Sequence, residues 1–133
     1  MREIAALVIH HAAAVTTLEE IDRWHRARGW RGVGYHYVVE ADGRLRLGRR
    51  EDEMGAHAAG RNQDTIGICV AVDARDGIPS ASWDQLVTLT RDLMRRHGLT
   101  VDDVIPHYQI GSTECPGFPI EDLYEAIDPR GTA

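Results

Sequence analysis

Short apolar runs alternate along the chain with polar, glycine-bearing segments, and the spacing within each run separates strands from helices. Residues 4–10, IAALVIH, are apolar up to a terminal histidine and predict a buried strand. Thr17-Leu-Glu-Glu20 has the form of a capping box, with a threonine hydroxyl and a glutamate carboxylate satisfying free amides at a helix start. Leu18, Ile21 and Trp24 follow at helical spacing, and Gly29 ends the element. YHYVVE (35–40) and RLRLG (44–48), joined around Asp42-Gly43, predict a hairpin. Residues 51–64 have no clear period and form a loop long enough to be functional. TIGICVAV (65–72) predicts a strand covered on both faces. A second helix opens at Ser82-Trp-Asp-Gln85, carries Leu86, Leu89 and Leu93, and closes at His97-Gly98. A short strand ends near His107, and a last helix runs from Ile120 to Ile127, stopped before Pro129.

Strands alternating with helices predict an α/β fold, with a central mixed β-sheet flanked by helices. No repeat, low-complexity tract or linker divides the 133 residues, so a single domain over 1–133 is expected. The candidate ligands described below fall where strands end, which places the expected site at one edge of the sheet.

Composition narrows the classes. No apolar stretch reaches the roughly 18 residues that span a bilayer. The N-terminal run carries Glu3 and leads straight into a candidate ligand, so it reads as a first strand and not as a signal peptide. A cytoplasmic chain, or one released by another device, is expected. A net charge of −6 and a pI near 5.6 disfavour nucleic-acid and membrane-surface binding. RLRLGRR (44–50) is a local exception: a solvated hairpin arm balanced by Glu51, Asp52 and Glu53, or a contact for an anionic substrate group. Cys69 sits within a strand pattern and is expected in the core, so Cys69 and Cys115 make a weak case for a disulfide. A monomer is the default expectation.

Two runs carry the chemistry. LVIHHAAA (7–14) and IPHYQIGSTECPGF (105–118) each place soft metal ligands at the end of an apolar segment. Together they supply His10, His107 and Cys115, the ligand set of a zinc site. Three protein ligands leave a fourth position for water, as in catalytic and not structural zinc sites. From the residues alone other assignments stay open. His10 could be a strand-end histidine and Cys115 a small buried residue before a turn, and His11, His25, His36, His57 and His97 compete as ligands.

Four stretches occur together in a known order: VIHHAAA (8–14), VGYHYVVEADG (33–43), GAHAAGRNQDTIGICV (55–70) and HYQIGSTECPGF (107–118). In these the chain resembles the type-2 N-acetylmuramoyl-L-alanine amidases, the superfamily of short phage lysin amidases and peptidoglycan recognition proteins. The resemblance covers nearly the whole chain. It implies a mixed sheet flanked by helices, a Zn2+ cofactor, and hydrolysis of the amide between the lactyl group of N-acetylmuramic acid and L-alanine. Carried over by position, His10, His107 and Cys115 match the metal ligands, and Tyr35 matches a tyrosine beside the metal. Strand alternation sends Tyr35 and His36 to opposite faces, which leaves His36 a mainly structural role.

Thr113 stands where phage lysin amidases tend to carry lysine and catalytic recognition proteins commonly carry threonine. Its hydroxyl is expected to donate a hydrogen bond or position water, with Glu114 and Glu121 as alternatives for proton handling or as plain surface acids. The resemblance places His57 along a substrate groove. Arg61 and Asn62 follow in the same loop and are expected to contact stem-peptide carboxylates, which arginine suits by its bidentate geometry. The expected function is therefore a zinc-dependent amidase that degrades peptidoglycan, with a non-catalytic peptidoglycan-binding module on the same fold as the alternative. Retention of all three ligands favours the enzyme. A phage or prophage endolysin acting on the cell wall after release suits these features, and wall recycling is the other setting.

Overall fold

The computed structural model describes residues 2–128. In chain order its elements are β1 (Ala6–His11), α1 (Leu18–Ala27), β2 (Tyr37–Val39), β3 (Leu45–Leu47), β4 (Thr65–Val70), α2 (Ser80–His97), β5 (Val104–Pro106) and α3 (Ile120–Ile127). The sheet runs β3-β2-β4-β1-β5. β1 pairs in parallel with β4 and β5, β2 pairs in parallel with β4, and only the β2–β3 hairpin is antiparallel. This is the mixed α/β sheet expected from the alternation of elements. The expected stop at Pro129 lies outside the described residues.

Burial on both faces explains the continuous apolar runs of β1 and β4. Leu7, Ile9, Ile66, Ile68, Val70 and Val104 face one side and pack with Leu86, Leu89 and Leu93 of α2 and Ile120, Leu123 and Ile127 of α3. Each fully buried aliphatic side chain there contributes roughly 1.5–3 kcal/mol. On the other side the parallel register sets Ala6 beside Thr65, Val8 beside Gly67 and His10 beside Cys69. That face is covered by Ile21 of α1 and by Ala58 from the loop after β3. On this face the buried polar side chains of the paired strands are His10, near the C-terminal end of β1, and Thr65, at the start of β4.

Three local expectations change. In α1 the buried stripe is Ile21 and His25, whereas Trp24 is exposed. Only half of the capping box forms: Thr17 Oγ1 accepts from the Glu20 amide at 3.3 Å, but the Glu20 carboxylate turns to the Thr16 hydroxyl at 2.8 Å. The buried Glu40 carboxylate accepts from the Leu18 amide instead, where the helix dipole favours an anion. Finally, α2 begins at Ser80, with Pro79 as its cap and no side-chain cap hydrogen bond. Ser82 lies inside the helix, fully buried, and its hydroxyl is shared between the carbonyls of Glu40 and Ala41 at 2.9 and 3.0 Å. No helix among the described residues is long and apolar enough to cross a membrane.

Candidate active site

A cleft of about 660 Å³ opens at the C-terminal end of β1, lined among others by His10, His25, Tyr35, His57, His107 and Cys115. His10 is the penultimate residue of β1 and is 1% exposed. His107 begins a single helical turn directly after β5, the strand beside β1. Cys115 returns to the same point because its loop is closed on itself. The Tyr108 amide donates to the Cys115 carbonyl at 2.8 Å, and the Cys115 amide donates to Thr113 Oγ1 at 3.1 Å. The His11 amide, next along β1, donates to Cys115 Sγ at 3.2 Å.

The ligand atoms of His10, His107 and Cys115 all lie within 4.8 Å of one another. Zinc–nitrogen and zinc–sulfur bonds of about 2.0 and 2.3 Å would hold such atoms roughly 3.5 Å apart, so these side chains converge on one ion-sized space. Burial, followed by the neighbouring His57 and His107, keeps His10 uncharged well below the ordinary imidazole range. Burial likewise lowers His107. Both rings are thus in the form that ligates a metal. Burial pushes the Cys115 thiol up to about 11 although the His11 amide opposes it, so a cation is needed to favour its thiolate. The donor set fits zinc.

The remaining histidines have other partners. His11 Nδ1 accepts from the Ala74 amide, and His25 Nδ1 accepts from the Gly34 amide at 2.8 Å. His36 Nδ1 accepts from the Gly67 amide at 3.0 Å, and its Nε2 lies 2.8 Å from the Glu53 carbonyl. His97 Nε2 pairs with Glu51, and neither residue lines the cleft. Tyr35 lines the cleft with its ring 5.0 Å from that of His10, while His36 lines a different cavity with Tyr37 and Glu51. Both residues precede β2, yet the His36 amide donates to the Gly67 carbonyl and the Gly48 and Arg49 amides donate to the His36 and Tyr35 carbonyls, all at 2.9 Å, so the backbone stays paired here.

His57 turns inward. It is 9% exposed, and its Nδ1 lies 2.9 Å from His10 Nε2. Burial, then the positive potential of His36, His107, Arg2 and Arg49, holds its imidazole down at about 3. Asn62 also lines the cleft, but its side-chain oxygen is occupied by the amides of His57 and Ala58, both at 2.9 Å. Arg61 pairs with Asp64 at 3.4 Å and is not among the residues lining the cleft. Thr113 sits exposed at the cleft, and Glu114 and Glu121 are exposed without lining it.

Three of the four arginines in the basic run 44–50 are engaged within the protein. Arg46 pairs with Glu19 and Glu40, Arg50 with Asp52, and Arg49 donates to the carbonyls of Val33 and Met54. The cleft's own cation is Arg28, whose guanidinium lies 5.3 Å from the centre of the Trp30 ring. Among the described residues no carboxylate pairs with it. Its position just past α1, before a glycine, gives only a weak sequence signal. Arg2 was equally silent in sequence: its guanidinium donates to the carbonyls of Glu51, Asn62, Gln63 and Thr65, tying together both ends of the loop that carries His57.

Residues 1–118 match the N-acetylmuramoyl-L-alanine amidase family. The endolysin of Klebsiella phage KP32 is 29% identical over 93% of this chain and 87% of its own length. Peptidoglycan-recognition protein SC2 of Drosophila melanogaster is 34% identical over 85% of this chain and 68% of its own. Among solved structures, the N-acetylmuramoyl-L-alanine amidase LysC from Clostridium intestinale superposes with a TM-score of 0.86 at 33% identity, covering 92% of this chain and 83% of that one. The chain belongs to the N-acetylmuramoyl-L-alanine amidase family and is an amidase of that class.

Proposed function

We propose that residues 1–133 form one zinc-dependent amidase domain that cleaves peptidoglycan between the lactyl group of N-acetylmuramic acid and L-alanine. The observation that carries this is the convergence of His10, His107 and Cys115 within 4.8 Å, at the base of a cleft that Tyr35 also lines. Zinc held by these three residues would polarise the scissile carbonyl and acidify a water molecule.

The protein's own groups supply the rest. Burial raises the Tyr35 phenol well above its ordinary range, so it keeps its proton and can donate a hydrogen bond to charge developing on the carbonyl oxygen. Thr113 Oγ1 already accepts from the Cys115 amide, which leaves its hydroxyl proton free to point into the cleft. Arg28 is the group positioned to meet a stem-peptide carboxylate, and stacking on Trp30 holds its planar fork ready. His57 and Asn62 shape the wall of the cleft and hold it in place. The phage endolysins among the relatives support action on the bacterial wall in a lytic setting.

Purified peptidoglycan incubated with the zinc-loaded chain, followed by mass spectrometry of the soluble products, tests this reading. Peptides with free L-alanine amino termini are expected, with no reducing sugar ends formed. Binding to the wall without any released peptide would identify a recognition module instead.

A further inference from the structure

We propose that Thr65, acting through His57, decides which nitrogen of His10 carries the proton and so presents the other nitrogen to the metal. This rests on the zinc site proposed above.

Three hydrogen bonds in series support it. Thr65 Oγ1 lies 2.6 Å from the Arg61 carbonyl oxygen, which can only accept, so the single hydroxyl proton is directed there. The same Oγ1 lies 3.2 Å from His57 Nε2. With its proton already committed, Oγ1 acts towards His57 only as an acceptor, and His57 Nε2 must carry a hydrogen. Among the described residues the buried His57 ring has two hydrogen-bond partners, the Thr65 hydroxyl and the His10 ring, and no carboxylate bonds to it. A neutral ring with its hydrogen at Nε2 presents a lone pair at Nδ1. That lone pair faces His10 Nε2 at 2.9 Å, so His10 Nε2 is the donor and His10 Nδ1 is left bare. Among the described residues nothing else hydrogen-bonds to His10 Nδ1.

The relay is rigid. Thr65 is fully buried in β4, on the same face as the Cys69 that pairs with His10 and four residues before it. The His57 ring packs against Gly67, and the His57 amide is held by Asn62. A carbonyl acceptor at one end of the series thus fixes the tautomer of the ligand at the other, which is how outer partners orient metal-bound histidines and raise their basicity. Thr65 and His57 are positioning residues on this account, since neither needs to touch the substrate.

Two variants of Thr65 separate this role from simple packing. Thr65→Ser keeps the hydroxyl, and Thr65→Val keeps the shape but removes the acceptor. The first readout is long-range proton–nitrogen correlation spectroscopy of the metal-free protein, which reports imidazole tautomers directly. Wild type and Thr65→Ser are expected to show His57 and His10 each protonated at Nε2, and Thr65→Val a mixture at both rings. The second readout is zinc affinity by competition with a chelator, expected to fall about tenfold or more in Thr65→Val and to be recovered to within about threefold in Thr65→Ser. A wild-type His10 protonated at Nδ1 would overturn the proposal, as would wild-type zinc affinity in a folded Thr65→Val. If Thr65→Val does not fold, the wild-type spectrum alone decides. A wild type with the expected tautomers but no zinc binding would instead contradict the metal site on which the proposal rests.

Discussion

Gly67 and His57 occupy the same patch of the sheet: a Cβ placed on Gly67 would come within 2.5 Å of His57 Cγ and 2.7 Å of its Nδ1. The absence of a side chain in the middle of β4 is what allows an imidazole to come close enough to the sheet to reach His10. Gly67→Ala should therefore displace His57 and cost about 1–3 kcal/mol in stability, as overpacking does elsewhere. It should also weaken zinc binding, although residue 67 is no ligand. Urea unfolding and chelator competition on the same sample test both halves, and unchanged zinc affinity would show that His57 does not support the site.

Tyr35 and the three ligands should separate kinetically. Tyr35→Phe removes a single hydrogen-bond donor and leaves the ring beside His10 in place. Loss of one oxyanion donor lowers kcat by about 10²–10³. Zinc content should stay at the wild-type level. A Tyr35→Phe enzyme with near-normal turnover would remove the phenol from the chemistry.

Arg28 is expected to act on binding. Arg28→Ala should raise KM for peptidoglycan fragments that carry a free stem carboxylate, by about tenfold, the scale of one charge-assisted hydrogen bond. Turnover at saturation should change little. Amidated fragments provide the control, because the variant and the wild type should handle them alike. Equal KM for both substrates in both proteins would rule Arg28 out as a carboxylate contact.

Acid should unfold the protein partly through Glu51. Burial on its own would raise this carboxyl, but hydrogen bonds from Arg96 at 2.8 Å, from Tyr37 and from His97 at 2.7 Å outweigh it and hold the group down at about 2, against 4.5 when unfolded. A lowered folded value contributes stability above about pH 4.5, and that stability is lost as pH falls towards 2. With allowance for partial exposure the contribution is about 2 kcal/mol. Glu51→Gln should be less stable than wild type at pH 7 by that amount and should converge with it near pH 2. A constant difference between the two unfolding curves across this range would contradict the assignment.

Much of the fold was legible because the apolar runs of β1, β4 and α2 have a single solution. Ile66, Ile68 and Val70 alternate on one face of a strand, and Leu86, Leu89 and Leu93 recur on one side of a helix. The ends of elements were less legible. Ser82 resembled a helix cap, yet its hydroxyl is satisfied by carbonyls some forty residues earlier in the chain, a partner no local window contains. Trp24 yields its expected place on the buried stripe to His25 for a similar reason, since the Gly34 amide gives the histidine a buried partner. At the site, residue type and family pattern were enough to nominate His10, His107 and Cys115. They could not show that His57 faces His10, because that depends on the parallel register that sets the bare Gly67 one step from it. Arg28 carried little signal and Arg2 none, and only tertiary structure reveals the cleft that one lines and the loop that the other ties down.

The most direct test of the central claim is a zinc titration of metal-free protein in which newly exposed L-alanine amino termini are counted on peptidoglycan. The rate should rise in proportion to added zinc and level off at one ion per chain in the wild type, while Cys115→Ser should neither retain the ion nor release peptide. Full activity in the metal-free wild type, or in Cys115→Ser, would contradict a zinc amidase built on His10, His107 and Cys115.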